Sequence, residues 1–287
     1  MSIALIRDRL ATYDCTSEIE EEQAIREITQ EIVLAALGRT DFFREAAFQG
    51  GTCLRVLYGL DRFSEDLDFA LKERNPDFTW EKYLGPVTEE LAAYGYRIEI
   101  QDRSERDTRD AMVKKALIKD DAIGKLVNFH YAGKAGVLSK IRIRLEVDIN
   151  PPSGSEYEIR YLDFPFVSSV VVQTLPSLFA GKIHALLCRD YLKGRDWYDF
   201  LWYTARRTPI NYTLLSSALA QAGPWKGAGL SVDYSWCFEA LRNKIETTDW
   251  HSAAEDVRRF VRVRDQKSLD LWSRELFLQQ LEKIPHE

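Results

Sequence analysis

The chain has 287 residues, of which 45% are hydrophobic and seven are tryptophan, so it can bury the cores of two lobes. Its formal net charge of −6 at pH 7 argues against a surface that is basic throughout, although a local basic stripe remains compatible with it. The early charged residues, the lack of a long apolar run and four widely spaced cysteines predict no signal peptide, membrane span or zinc site. We therefore expect a cytoplasmic protein with reduced thiols.

The first third of the chain predicts a strand–helix–strand unit. Residues 18–40 are expected to be helical, because acidic residues crowd the first turn and apolar residues recur at helical spacing. A short strand at 46–49 leads into a second helix that begins at Gly51 or Thr52. In the next predicted strand, 63–71, apolar residues alternate with polar ones, which places Asp66 and Asp68 on one face.

The middle of the chain predicts more strands, and the end predicts helices. A helix is expected near 80–95, and strands near 96–102, 112–118, 138–150 and 167–174. From Leu175 the apolar period changes from two to about three and a half. The prediction is an α+β protein with two lobes: a mixed-sheet core with helices over residues 1–173, and a helical domain over 174–287.

The glycine pair and the aspartate pair together suggest phosphate and metal chemistry. Gly50 and Gly51 at a helix start can offer backbone N–H groups to an anion, with no Cβ to prevent close approach. Asp66 and Asp68 can bind Mg²⁺, which prefers a few carboxylates together with phosphate oxygens and water. Each feature has an ordinary structural explanation, a turn for the glycines and a cap or salt bridge for the aspartates. Their order on one strand–helix–strand unit favours phosphoryl or nucleotidyl transfer.

A third carboxylate is expected on the long strand 138–150. Asp148 is the first candidate, because it lies on the polar face of a strand whose other face is strongly apolar. Glu146 shares that face and is the alternative, although it is also well placed to pair with Arg142 or Arg144.

The first helix of the second lobe carries a lysine in its apolar stripe. Lys182 falls between Phe179 and Leu186 at helical spacing, so its ammonium must reach solvent or meet an anion such as a triphosphate. Arg195, Asp196 and Asp199 follow after Gly194, and Asp196 could equally cap the next helix.

A basic segment precedes and includes the long strand. It is a candidate RNA contact, although such a run is also typical of a solvated face. The candidate RNA-binding residues are Lys114, Lys115, Lys140, Arg142 and Arg144.

Two blocks of the sequence resemble one family. The block GGTCLRVLYGLDRFSEDLDF looks like the first motif of the AbiEii/AbiGii toxin-family nucleotidyltransferases, within the DNA polymerase β-type superfamily. The block KIHALLCRDYLKGRDWYDF is similar to the family's second block, with Lys182, Arg195, Asp196 and Asp199 in the expected order. The resemblance implies a nucleotidyltransferase core and a helical lobe with the active site in the cleft between them. It also implies that the protein is a toxin of a toxin–antitoxin or phage-defence system, neutralised by a cognate antitoxin.

The resemblance and the residue patterns lead to one functional prediction. The protein is expected to transfer NMP from an NTP to RNA, with a tRNA 3′ end as acceptor, by a two-metal mechanism with two Mg²⁺ ions. The expected metal ligands are Asp66, Asp68 and Asp148, which count as catalytic together with Lys182 and Asp196. The expected nucleotide contacts are Gly50, Gly51, Thr52, Ser64, Lys182, Arg195 and Asp199.

Two alternatives stay open. The acceptor could be a small molecule or a protein side chain, which the acidic net charge favours. The protein could also be a nucleotide-binding module that binds a partner without catalysis, although the intact acidic residues argue against it.

Overall fold

The computed structural model describes residues 2–102, 112–120 and 141–286, which form two compact units. The first unit comprises Met1–Gly59, Phe63–Pro151 and Glu158–Val172. The second comprises Leu60–Arg62, Pro152–Tyr157 and Gln173–Glu287. Residues 60–62 therefore belong to the second unit, although they precede most of the first in the chain.

The first unit is built on a seven-stranded mixed sheet in the order β3-β4-β5-β2-β1-β7-β6. Strand β2 pairs antiparallel with β1 and parallel with β5, so it lies in the middle of the sheet. Its pattern of apolar residues fits this position, because Leu67 and Phe69 are buried while Asp66 and Asp68 alternate with them. The strands are β1 (Ala46–Gln49), β2 (Asp66–Leu71), β3 (Ile98–Asp102), β4 (Val113–Asp120), β5 (Ile141–Asp148), β6 (Tyr157–Leu162) and β7 (Ser168–Gln173).

Helices and an aromatic cluster complete the first unit. Helix α2 begins after Ser17, whose side chain accepts a hydrogen bond from the backbone N–H of Glu20. Phe42 is fully buried, and its ring contacts the rings of Phe69 and Trp80. The helices are α1 (Ser2–Ala11), α2 (Glu18–Gly38), α3 (Phe42–Glu45), α4 (Gly50–Tyr58) and α5 (Glu81–Ala93).

The second unit is helical. Phe277 is fully buried, with its ring against those of Trp197 and Trp250. The α-helices are α6 (Leu175–Cys188), α7 (Gly194–Ala205), α8 (Tyr212–Gln221), α9 (Tyr234–Thr247), α10 (Trp250–Arg258) and α11 (Arg274–Leu281), and a 3₁₀ helix spans Val263–Leu271. Polar residues cap four of them at the N-terminus: Asn211, Asp233, Asp249 and Ser273.

The structure confirms the predicted α+β class and the mixed sheet. Helix α4 begins one residue earlier than predicted, at Gly50, and α1 and β6 were not predicted. Strand β6 is an edge strand whose Ile159 and Tyr161 are 59% and 66% exposed, so it lacks a buried apolar face. No helix in the described part of the chain is both long and apolar enough to cross a membrane.

Candidate active site

The start of α4 approaches the side chain of Asp68 on β2 closely at Gly50. Gly50 has a φ of +78°, in the left-handed region, and a Cβ built on it would lie 2.5 Å from Oδ2 of Asp68. Gln49, the preceding residue, is paired with Asp68 across the β1–β2 ladder. The Asp68 carboxylate therefore lies next to the backbone at the N-terminus of α4.

Thr52 connects α4 to β2. Its side chain is completely buried, and its hydroxyl donates a hydrogen bond to the backbone carbonyl of Asp66. This bond fixes the helix start against the first residue of β2. Ser64 lies just before β2, where its carbonyl accepts a hydrogen bond from the side-chain amide of Gln30 at 3.3 Å.

Asp66 and Asp68 lie on the same face of β2, as the alternation predicted. Both side chains are partly exposed, while Leu67 between them is fully buried. The neighbouring strand β5 places Arg144 beside Asp66, with 3.7 Å between the guanidinium and the carboxylate. The pair of aspartates thus faces away from the core, next to an exposed cation.

The two candidates for the third carboxylate differ in register and in partners. Glu146 is paired with Asp68 across the β2–β5 ladder, whereas Asp148 is paired with Ala70, two residues further along. The Glu146 carboxylate lies 3.4 Å from the ammonium of Lys115 on β4. The predicted partners of Glu146, Arg142 and Arg144, belong to its own strand, whereas the observed partner comes from the adjacent one.

Asp148 has a different environment. Its carboxylate accepts a hydrogen bond from the backbone N–H of Asn150 at 2.9 Å, and within the residues described it forms no salt bridge. Burial raises the pKa of Asp148 above its usual value, although the bond from Asn150 opposes the shift. A desolvated carboxylate that has no cation nearby is a suitable ligand for a metal cation.

The aspartates fit a divalent cation as a partial ligand set. Among the described residues, no three acidic, histidine or cysteine side chains are gathered into a complete metal site. Mg²⁺ does not require one, because it is commonly bound by one or two carboxylates plus substrate phosphates and water. Asp66 and Asp68, next to the glycine backbone at Gly50, have the side chains that such a site requires.

The second unit contains a buried cluster of charged side chains around Lys182. The ammonium of Lys182 lies 2.6 Å from Oδ1 of Asp196 and 2.8 Å from Oδ2 of Asp199. Burial acts to lower the pKa of Lys182, but the two carboxylates raise it above the usual value. Asp196 and Asp199 therefore supply negative charge to this lysine.

Two arginines complete the cluster, and the sequence patterns indicated neither of them. The guanidinium of Arg62 donates to both oxygens of Asp199 at 2.6 Å, and Arg189 donates to Asp196 at 2.7 Å. Burial acts to raise the pKa values of both aspartates, but these cations and Lys182 hold them below the usual value. A sequence signal for a partner did exist, since an aspartate at a buried helix position requires a cation.

The other predicted residues of this block have separate surroundings. The guanidinium of Arg195 lies over the ring of Phe260, 4.2 Å from its centroid. Asp196 is not the N-cap of α7, since that position is Lys193. The Asp199 side chain is completely buried, so it can influence a ligand only through Lys182 or Arg62.

The candidate RNA-binding residues do not form one surface. Lys114 and Lys115 are neighbours on β4, so their side chains point to opposite faces of the sheet. Arg142 and Arg144 are exposed on β5, on the face that carries Asp66. Lys140 lies outside the described residues. Thus Lys115, Arg142 and Arg144 share the face of the candidate site, and Lys114 does not.

Several solved structures share this fold of a mixed sheet and a helical unit. JHP933 from Helicobacter pylori matches with a TM-score of 0.52 and 17% identity, over 92% of this chain and 94% of that one. MenT4, a nucleotidyltransferase toxin from Mycobacterium tuberculosis H37Rv, matches with a TM-score of 0.51 and 16% identity, over 97% and 99% of the two chains. At these identities the likeness concerns the fold alone.

The family is identified by sequence. The model of the nucleotidyl transferase AbiEii toxin family, of type IV toxin–antitoxin systems, matches residues 32–277. The chain therefore belongs to the AbiEii nucleotidyltransferase toxin family. Membership implies an NTP as substrate and an antitoxin as partner. No curated protein matches the chain.

Proposed function

We propose that the protein transfers NMP from an NTP to the 3′ hydroxyl of an RNA, with tRNA as the acceptor. The observation that carries this proposal is the approach of Gly50 to Asp68, which combines a helix N-terminus with two carboxylates on one strand face. Backbone N–H groups at Gly50 and Gly51 would bind the triphosphate, with Ser64 nearby. The acceptor hydroxyl attacks the α-phosphorus, and the bond from that phosphorus to the pyrophosphate oxygen breaks.

The proposed cofactor is Mg²⁺, as two ions. Asp66, Asp68 and Asp148 would be the ligands, and Glu146 is the alternative to Asp148. Asp148 is preferred because Lys115 already compensates Glu146, whereas no ion pair compensates Asp148 within the described chain. When bound, the ions would stabilise charge on the attacking and leaving oxygens. The protein's own contribution would be to hold the strand that carries Asp66 and Asp68 against the start of α4, through the bond from the Thr52 hydroxyl to the backbone carbonyl of Asp66.

We also propose that Lys182 binds a phosphate oxygen of the nucleotide, with Asp196 and Asp199 as the residues that orient it. An ammonium group has three N–H donors, and the two carboxylates engage two of them. The side chain of Lys182 remains 13% exposed, so a ligand can reach it. Arg195 is a further proposed nucleotide contact.

The test is transfer of a labelled nucleotide. Purified protein is incubated with total tRNA, Mg²⁺ and each α-³²P-labelled NTP in turn, and the products are resolved on a denaturing gel. The expected result is a labelled tRNA band with at least one NTP and none with Asp66→Asn. A band of equal intensity from Asp66→Asn would reject the proposed site, and the absence of a band with every NTP would reject tRNA as acceptor.

One observation favours a second acceptor class, a small molecule or a protein side chain. Three of the cations near the candidate site have acidic partners: Lys115 with Glu146, Lys119 with Glu99, and Arg144 with Asp66. Cations that are already compensated contribute less to phosphate binding along an RNA. Label that moves from NTP to protein or to a small molecule without added RNA would support this alternative.

We propose that the biological role is growth arrest or phage defence in the cytoplasm, released by the cognate antitoxin. The support is the family of the chain, whose systems pair a toxin with an antitoxin. Expression of wild-type protein is expected to stop growth, and expression of Asp66→Asn is not. Equal toxicity of the two would show that the role does not depend on transfer.

A further inference from the structure

The helical unit contains a cavity that borders the charged cluster around Lys182 through Asp196. It has a volume of about 290 Å³ and lies between the α6–α7 connection and the C-terminal end of α9. Trp197 and Leu186 are buried residues of its lining. Tyr191 and Leu192 also line it and are 65% and 38% exposed, so the cavity has an aromatic and apolar edge open to a ligand.

Lys193 is the unusual member of the lining. Its side chain is half-buried, and desolvation lowers its pKa below the usual value although Asp196 opposes this effect. In the described parts of the chain, its ammonium has no ion-pair partner. A partly desolvated lysine without a carboxylate is costly unless an anion binds to it.

Lys244 provides a second ammonium in the same cavity. It donates a hydrogen bond to the backbone carbonyl of Arg189 at 3.4 Å and forms no salt bridge within the residues described. The N-terminus of α7, which begins at Gly194 immediately after Lys193, does not add to this charge, because the N–H of Gly194 donates a hydrogen bond to the Asp256 carboxylate at 2.8 Å. The cavity lining thus includes two uncompensated cations from separate elements.

The carboxylates of the lining do not cancel this charge. Asp196 is already bound by Lys182 and Arg189, and Asp249 caps α10 through the N–H of Ser252 at 3.0 Å. Asp190 is exposed, so water solvates its charge. Lys193 and Lys244 therefore remain available to an anion that enters the cavity.

We propose that this cavity binds one nucleotide of the RNA acceptor, with its phosphate between Lys193 and Lys244 and its base on Tyr191. Two ammonium groups match the single charge of a phosphodiester better than the four charges of a free triphosphate. An exposed aromatic ring next to cations is the usual platform for a single-stranded base. This inference rests on the proposed function in one respect, that the acceptor is RNA.

The test is RNA binding by the full chain in the absence of NTP, so that no transfer can occur. A fluorescein-labelled single-stranded RNA with a free 3′ end is titrated with wild type, Lys193→Ala/Lys244→Ala and Lys267→Ala. Lys267 is an exposed lysine of the same unit outside the cavity, and its variant is the matched control. The double variant should bind about tenfold more weakly or worse, and Lys267→Ala should bind like wild type.

Two further readouts separate a specific site from general charge. The slope of log K against log [salt] should fall by about 0.7 for each phosphate that the variant no longer neutralises. Tyr191→Ala should lose about 5- to 150-fold in affinity, and Tyr191→Phe, which keeps the ring, should not. Thermal unfolding of each variant checks that its fold is kept, and Lys193→Arg, which keeps the charge, should restore binding if Lys193→Ala unfolds.

The outcomes distinguish this inference from the proposed function. Wild-type protein that transfers NMP to RNA while the cavity variants keep full RNA affinity would overturn the cavity and leave the function intact. Weaker RNA binding by the cavity variants, with no transfer by wild type, would support the cavity and reject the function. The cavity proposal would be overturned if the cavity variants lost affinity for NTP but kept their affinity for RNA. It would also be overturned if the wild-type protein did not bind RNA.

Discussion

Asp199 shows at the scale of one residue how much a buried charge depends on its partners. Its carboxylate is fully buried, with Arg62 at 2.6 Å and Lys182 at 2.8 Å. Asp199→Asn keeps the shape but leaves two cations facing a neutral amide. We expect a loss of about 3–5 kcal/mol in the free energy of unfolding at neutral pH, measured by urea denaturation. A loss no larger than that of an exposed control would contradict the burial of this pair.

The pH dependence of this loss has a definite sign. Arg62 and Lys182 hold the pKa of Asp199 below its usual value, despite burial, so the charged form is favoured by folding. Its contribution is therefore complete above about pH 4, the usual pKa of an aspartate, and is lost as the pH falls below that. The difference between wild type and Asp199→Asn should shrink on acidification. Asp41→Asn, which breaks an exposed pair with Lys82, is the control: Lys82 also lowers the pKa of Asp41, but because water screens this pair its trend should have the same sign and be much smaller.

The third carboxylate can be decided by comparing two variants. If Asp148 is a ligand, Asp148→Asn should lower the transfer rate by about 10²–10³-fold and raise the Mg²⁺ concentration needed for half-maximal rate. Glu146→Gln should cost less than about tenfold, because it removes a partner of Lys115 rather than a ligand. Glu99→Gln is the control, since Glu99 is an exposed partner of Lys119. The reverse order of effects would assign the role to Glu146.

The residue types in the sequence predicted part of the candidate site. The remaining contacts could not be predicted, because they join residues that lie far apart in the chain. Asp66 and Asp68 could be assigned to one face because strand alternation is local. Arg62 could not be assigned to Asp199, because 137 positions separate them and Arg62 lies in a connecting segment. Lys193 and Lys244 were missed for the same reason, since a cavity lining is not a local pattern.

Alanine variants of the two glycines at the ends of α4 separate the effect of backbone strain from the effect of a steric clash. Gly50 and Gly59, at opposite ends of α4, have nearly the same positive φ, +78° and +75°. A Cβ at Gly50 would meet Asp68, whereas a Cβ at Gly59 would meet nothing within 4 Å. Both alanine variants should lose about 1–2 kcal/mol of stability from the left-handed conformation. Only Gly50→Ala should also lose transfer activity, through a displaced Asp68.

The measurement is the transfer rate at saturating and limiting NTP, alongside urea denaturation of both variants. A Gly50→Ala protein that is as active as Gly59→Ala would show that the close approach to Asp68 has no role in the reaction. Equal stability losses with unequal activity losses are the expected result. This comparison tests the element that carries the proposed function, because α4 provides the N–H groups and β2 the carboxylates.

The strands differ in how well the sequence predicted them. Strands β2 and β5 were predicted because each has a fully apolar face, and their parallel pairing buries Leu67 beside Leu145. The order of the sheet could not be predicted, because that pairing joins segments far apart in the chain. Strand β6 alternates as well, but Ile159 and Tyr161 are exposed, so no burial accompanies the pattern.

Each of the two compact units has its own aromatic core. The ring of Phe42 packs against other aromatic rings of the first unit, and the ring of Phe277 packs against aromatic rings of the second. Both phenylalanines are completely buried. Units with separate cores are expected to unfold as separate cooperative transitions, so one unfolding temperature should not describe the chain.

Matched core substitutions test this expectation. Phe42→Leu and Phe277→Leu each remove a ring from a filled core, at a cost of roughly 1–2 kcal/mol, below the ~3–5 kcal/mol of a change to alanine. In hydrogen exchange, Phe277→Leu should accelerate exchange of the amides of α7 and α11, and Phe42→Leu those of β1 and β2. Acceleration spread equally over both units by either substitution would show a single cooperative core. The aromatic contacts of Phe42 all lie within the first unit and those of Phe277 within the second, so we expect the two patterns to be distinct.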